Sequence, residues 1–323
     1  MTRGAGGIRT EKNRYRNRLR EKDLEKILIT GANGKLGTRL ILHLANQYHI
    51  RAIVRSERAK ESLQRSVDSV DIRIVDYNDV SALAMAASDC DHAVHLVGII
   101  RQTADSRYQS AHEDSCSTLV SAIEKTGIKS IVYLSLIGSN SDSGNPCFRS
   151  RGNAEEILRS AGIPVVIIRV PMVLGEDDYA SQSLAKKANA RYVPVFRADC
   201  VEQPIYAGDV IEAIVQSLEI GRTETIELAG PESLSRKSLI LRAAELLDHH
   251  PVVINLPLGC GLLLAGVLEA VSRNPPVTRD MLNVLDHDDD IDALSAAGRL
   301  GIRLTSLDDM LQAVIRDPYL TSD

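Results

Sequence analysis

Tryptophan is missing from this chain and phenylalanine occurs only twice in 323 residues, so little flat aromatic surface is on offer for stacking on nucleobases. A formal net charge of −5 would also repel a phosphate backbone, and nucleic acid is not an expected partner. Paired cysteines are absent too. Cys90, Cys116, Cys147, Cys200 and Cys260 contain no Cys-x-x-Cys and no metal-ligand spacing, so no metal is expected and a reduced, cytoplasmic compartment fits. Nor is there an apolar run long enough to span a bilayer. The longest, Leu256 to Leu268, is interrupted by Pro257, and no segment has the apolar core of a signal peptide. The chain reads as soluble with no transmembrane segment, while that run leaves peripheral contact with a membrane surface open. A nucleophile elbow with an ordered Ser, His and Asp set is also lacking, which argues against acyl hydrolysis. No internal repeat or low-complexity tract is found.

Charge is unevenly spread. Residues 1–26 hold nine Lys or Arg against four Asp or Glu, while the remainder holds 29 against 39. Residues 1–25 read as a basic flexible tail, either solvated or set against an anionic surface. From Lys26 onward short apolar runs alternate with longer amphipathic stretches, the pattern of strands and crossover helices. The strand candidates are Lys26 to Thr30, Ile50 to Val54, Asp71 to Val75, His92 to Val97, Lys129 to Ser135 and Ile163 to Val170. Helices are expected at Lys35 to Gln47, Asp79 to Ser88, Asp114 to Lys125 and Asn153 to Ser160. This predicts an α/β fold: a Rossmann doubly wound parallel sheet over 26–170 with helices on both faces, then a smaller, mostly helical C-terminal lobe over 171–323. Within that lobe Asp209 to Leu218, Thr223 to Ala229 and Ser235 to Leu247 read as helix, strand and helix, some of them packing back on the sheet.

The segment T-G-A-N-G-K-L-G, Thr30 to Gly37, follows a strand and opens a helix. In that context Gly31 allows a tight turn, Gly34 lets the backbone approach a phosphate, and Gly37 lets the helix lie close to the sheet. Asn33, Lys35 and Leu36 fill out a turn whose free N–H groups would face the pyrophosphate of NAD(P). At the end of the second strand stand Arg55, Ser56 and Arg58, where an NAD-dependent protein offers a carboxylate to the ribose. Arg55 suits a 2′-phosphate, so NADP(H) is preferred and NAD(H) is the lesser choice. Asp76 and Tyr77 at the third strand end, and Val97 and Gly98 at the fourth, are expected to flank the adenine and ribose. Val170 ends the sixth strand at the same edge.

These motifs resemble the short-chain dehydrogenase/reductase superfamily in its extended, atypical branch. The resemblance includes Tyr133 to Ser135, R-V-P-M-V-L-G at Arg169 to Gly175, Q-P-I-Y-A-G-D-V at Gln203 to Val210 and E-L-A-G-P-E at Glu227 to Glu232. N-P-P-V-T-R-D at Asn274 to Asp280 and the closing G-I-R-L-T-S-L-D-D-M look closest to NmrA-like proteins related to the nucleotide-binding accessory subunit of respiratory complex I. What the resemblance implies for catalysis is a Tyr with a Lys four residues on. None of the nine tyrosines here has one. Counting from Ser135, Cys147 stands in the tyrosine position and Arg151 in that of the lysine. Arg151 would serve as a ribose clamp and cannot act as a base. Cys147 would either fill space or, with a lowered thiol pKa, exchange a proton. Ser135 is a site-facing hydroxyl by the same resemblance. His112 is a candidate proton relay whose plainer reading is a surface histidine.

Two functions follow. One is an NADP(H)-dependent reductase or isomerase of a small hydrophobic molecule, with an unconventional proton donor and with Leu256 to Leu268 lining its pocket. The other is a non-catalytic NADP(H)-binding protein serving structure, sensing or assembly with a partner protein, as the complex I resemblance implies.

Overall fold

Each apolar run of the first half becomes a strand of one sheet. The computed structural model describes residues 24–315 apart from 68, 69, 104, 273, 274, 276, 285 and 286. Strands β1 (Lys26–Thr30), β2 (His49–Val54), β3 (Asp71–Ile74), β4 (His92–His95), β5 (Ser130–Leu136) and β6 (Val165–Val170) join β11 (Glu224–Glu227) in the order β11-β6-β5-β4-β1-β2-β3. Every pairing in this sheet is parallel. Alternation within a strand sends Ile27 and Ile29 to one apolar core and Leu28 to the other, so both faces must be covered by helices. After β1 the chain moves outward to β2 and β3, then returns to β4 on the opposite side. That reversal opens a crevice at the carboxyl edge between β1 and β4.

The helices show what periodicity reads well and what it misses. Helix α1 (Lys35–Leu44) buries Gly37, Leu40, Ile41 and Leu44 on one stripe. Helix α2 (Glu57–Gln64) was not expected. It buries only Leu63 and is started by the Ser56 hydroxyl, which accepts from the Ala59 N–H at 3.2 Å. Asp79 caps α3 (Val80–Ala87) in the same way at 2.9 Å. Helix α4 (Ser115–Ile123) is preceded by a π-helical turn, Gln109–Asp114, that carries His112 inward. His112 is fully buried, which corrects the surface reading. Helix α5 (Pro146–Arg159) begins seven residues before the expected Asn153. Asn145 accepts from the Cys147 and Phe148 N–H groups at 2.8 and 3.3 Å, and Pro146 fits the first turn because it has no N–H to satisfy.

Beyond β6 a second core gathers around α6 (Tyr179–Ala188), β8 (Tyr192–Phe196), α8 (Arg236–Glu245) and α12 (Leu307–Val314). Helix α7 (Ala207–Leu218) and β11 return to the large sheet, where Val210, Ile211 and Ile214 join the core beneath β1 and β6. Helix α9 (Leu258–Val271) buries only Gly261 and Ala265, while Leu263, Leu264, Val267 and Val271 face outward. At Leu256 to Leu268, expected as a pocket wall, small residues face the body, and no residue of the run is among those lining the cleft described below. Among the described residues no helix is long and apolar enough to cross a membrane. The basic tail lies outside them as far as residue 23, while Glu25 is in place and bonded to Lys129 at 2.6 Å.

Candidate functional site

The first strand hands the chain to α1 through Gly31, whose φ of +71° is open to glycine at little cost. A methyl group there would sit 2.9 Å from the Leu96 carbonyl carbon, so glycine is also demanded by the neighbouring β4 end. Gly34 is the residue before α1 and has no side chain with which to cap it. The first N–H groups of the helix, at Lys35, Leu36 and Gly37, thus have no side-chain acceptor from the cap, and with the helix dipole they favour an anion. Asn33, Gly34 and Lys35 are exposed at this turn. These features fit a dinucleotide pyrophosphate.

On the β2 and β3 side, Arg55 and Asp76 are exposed while Tyr77 is buried. The Arg55 guanidinium carbon lies 5.7 Å from the centroid of the Tyr77 ring. The strand end itself carries Arg55 in place of a carboxylate, and the exposed Glu57 follows in the first turn of α2. Val97 is buried and Gly98 exposed at the end of β4, and Val170 is buried at the end of β6.

The opposite half of the crevice is held by α5. Arg151 Nη1 donates to the Tyr133 hydroxyl at 2.8 Å and to the Leu134 carbonyl at 2.9 Å, and its Nε has no partner. Its guanidinium lies against Gly98, where a methyl group would come within 1.8 Å of Nη2. Arg151 is thus brought to the crevice but packed inward. Cys147 is completely buried, its thiol directed at the Ile99 carbonyl at 3.8 Å, and burial pushes its pKa up to about 11. A thiol so placed is a poor proton donor at neutral pH. Ser135 is buried, its hydroxyl donating to Glu155 Oε1 at 2.6 Å and standing 3.2 Å from the Ser139 hydroxyl. Glu155 in turn pairs with Arg169 at 2.7 Å and Arg159 at 3.1 Å. Ser139, and not Ser135, is among the residues lining the cleft described below.

His112 Nε2 lies 3.1 Å from both the N–H and the carbonyl of Ile99, and Nδ1 has no partner. Burial, helped by the Arg151 charge, drops its pKa to about 2, so the ring stays neutral at physiological pH. Sequence reading passed over His95. It bridges Thr30 Oγ1 at 2.7 Å and Ser115 Oγ at 3.2 Å beneath the same strand ends, and burial lowers its pKa to about 3. The two histidines in the otherwise apolar H-A-V-H-L-V, His92 and His95, were the available signal. Tyr108 was also missed; its hydroxyl donates to the Ile100 carbonyl at 2.7 Å and its ring stacks on His112.

The mouth beside α5 is partly roofed by the C-terminal lobe. Asn145 Nδ2 donates to the Asp280 carbonyl at 3.1 Å, Arg101 to the Pro275 carbonyl at 2.7 Å, and His287 meets Phe148 edge-on. A cleft of about 370 Å³ opens next to it, lined among others by Ser139, Asn140, Arg169, Glu227, His287 and Asp290. Its lining is mainly polar.

The parallel sheet, its switch point and the uncapped glycine turn define a dinucleotide-binding protein of the Rossmann type. The NAD(P)H-binding family model matches residues 31–200, and the chain belongs to that family. Among curated proteins it is 26% identical over 206 residues to a protein named as an uncharacterized sugar epimerase, YhfK of Bacillus subtilis, covering 62% of this chain and 90% of that one. It is 23% identical over 273 residues to the N-acetyl-α-D-glucosaminyl-diphospho-ditrans,octacis-undecaprenol 4-epimerase of Escherichia coli O157:H7, covering 77% and 80%. Among solved structures, UDP-glucuronic acid 4-epimerase from Bacillus cereus in complex with NAD superposes with a TM-score of 0.70 at 19% identity, covering 92% of this chain and all of that one. The gox2253 structure gives 0.71 at 18%, covering 92% and 99%. These structures share the fold.

Proposed function

We propose that this chain binds NADP(H) and holds it without the tyrosine and lysine proton transfer of its superfamily, as a binding, sensing or assembly protein. The observation that carries this reading is the state of the two substituted positions. Cys147 is buried with a raised thiol pKa, and Arg151 is locked on Tyr133 and Leu134, so neither is poised to give or take a proton. Bound at the glycine turn, the dinucleotide would supply a hydride carrier; the residues here would bind its phosphates and shelter its nicotinamide end. Gly31 to Gly37 would receive the pyrophosphate, Arg55 the 2′-phosphate, and Arg151 the neighbourhood of the nicotinamide ribose.

A second reading is favoured by the cleft of about 370 Å³ beside α5. A small molecule there would meet polar groups, so a reductase or isomerase in this chain would take a hydroxylated substrate more readily than a hydrophobic one. The sugar-epimerase names of the relatives agree with that, with water or the substrate itself as proton source. Calorimetric titration of the wild type and of Arg55→Ala with NADP+ and NAD+ tests the binding claim. NADP+ is expected to bind at least tenfold more tightly to the wild type, with the difference lost in the variant; equal affinities in the wild type would remove the NADP(H) reading.

A further inference from the structure

Strands β1 and β2 share their last backbone pair at Thr30 and Ile53. One residue later a side chain takes over. The Gly31 N–H donates to the Tyr77 hydroxyl at 2.7 Å, and that hydroxyl donates to the Ile53 carbonyl at 3.0 Å. A phenol standing 7% exposed at the end of β3 thus ties the ends of three strands together. Both of its hydrogen-bonding roles are filled by backbone groups, the half-buried Gly31 N–H and the buried Ile53 carbonyl. Its ring does something separate. Arg55 projects from the end of β2 over the ring face at 5.7 Å from the centroid, within the range of a cation–π contact. Arg55 has a long, rotamer-rich side chain on an exposed strand end, and such a contact restricts where its guanidinium is found.

We propose that Tyr77 is a positioning residue with two separable tasks: its hydroxyl sets the Gly31 turn for the cofactor pyrophosphate, and its ring sets Arg55 for the 2′-phosphate. The inference rests on the NADP(H) reading above. It makes cofactor choice depend on a tyrosine that need touch neither phosphate. The phenol serves NADP+ and NAD+ alike, because both carry the pyrophosphate. The ring serves NADP+ alone.

Two substitutions separate the tasks. Tyr77→Phe keeps the ring and removes the bridge, so NADP+ and NAD+ should both weaken by the same factor, about 3- to 10-fold for one hydrogen bond. Tyr77→Leu removes the ring as well, and the NADP+ over NAD+ preference should fall by a further factor of about 3. On the Tyr77→Leu background, Arg55→Ala should change that preference less than it does in the wild type, since the two residues act as a unit. Urea midpoints of all variants serve as the control, because a merely structural tyrosine would shift stability and leave the affinity ratio alone. Unchanged affinity for both nucleotides in folded Tyr77→Phe overturns the bridge. An intact preference in Tyr77→Leu, with the wild type favouring NADP+, overturns the ring's role while leaving the NADP(H) reading standing. A wild type that binds both equally overturns that reading and the Arg55 half together.

Discussion

Two histidines buried without charge make acid stability the sharpest physical consequence of this fold. His95 and His112 are held neutral by burial, with Arg151 adding to the effect, and their folded-state pKa values lie near 3 and 2. Unfolded, each would titrate near 6.5. The unfolded state therefore binds more protons than the folded one below pH 6.5, so stability is fully present above that value and is lost as pH falls toward the folded pKa values. For one such group the loss between pH 7 and pH 5 is about 2 kcal/mol, and for the pair about 4 kcal/mol. That is a large share of the roughly 5–15 kcal/mol that holds a folded domain. Urea unfolding measured at half-unit steps between pH 7 and 5 would register it. Replacing either histidine with glutamine should lower stability at pH 7 yet halve the slope against pH. A wild-type slope near zero across this window, or an unchanged slope in both variants, would refute the reasoning.

Other consequences are simpler to read. Gly34→Val places a branched side chain at the open end of α1, and dinucleotide binding should disappear with the far-ultraviolet circular dichroism unchanged; retained binding would make the turn merely structural. Gly98→Ala forces a methyl group against Arg151 Nη2, so the guanidinium must leave Tyr133 and Leu134, at a cost of about 1–3 kcal/mol by urea unfolding. Glu155→Gln removes the fully buried charge between the partly exposed Arg159 and Arg169 and should cost about 1.5–3 kcal/mol. A loss below about 1 kcal/mol would mean that Glu227 alone satisfies Arg169.

Much of the sheet was legible because its central strands are buried on both faces and read as largely apolar runs. Strand β5, Ser130–Leu136, shows this well. The glycine turn was legible because strand, glycines and helix come in the required order. What escaped notice did so for identifiable reasons. Helix α2 buries a single leucine, which leaves no periodicity to see. Helix α5 buries Ser150, Arg151 and Glu155, so its inward face is polar and its first half passes for a loop; Asn145 and Pro146 were the better guide. Strands β7 (Val173–Leu174) and β10 (Ile205–Tyr206) are two residues long, below the reach of any pattern. In α9 the leucines suggested a pocket wall, but close approach to Phe196 selects Gly261 for the inner face and turns the leucines out. The π-helical turn before α4 and the burial of His112 leave no trace in residue type. The resemblance singled out Cys147 and Arg151, yet the locked geometry of Arg151 was not visible, since that depends on Tyr133, Leu134 and Gly98 meeting it across the crevice.

The central claim is that the dinucleotide is held here without proton transfer from the position the superfamily gives to tyrosine. It is tested most directly by loading the wild type and Cys147→Ser with NADPH and following loss of the reduced nicotinamide against UDP-sugars, quinones, enones and ketones. The account predicts that any consumption differs by less than about tenfold between the two proteins, because the buried thiol takes no part. A loss of about a hundredfold or more in Cys147→Ser, with NADPH affinity unchanged, would show the thiol to be the proton donor and contradict it.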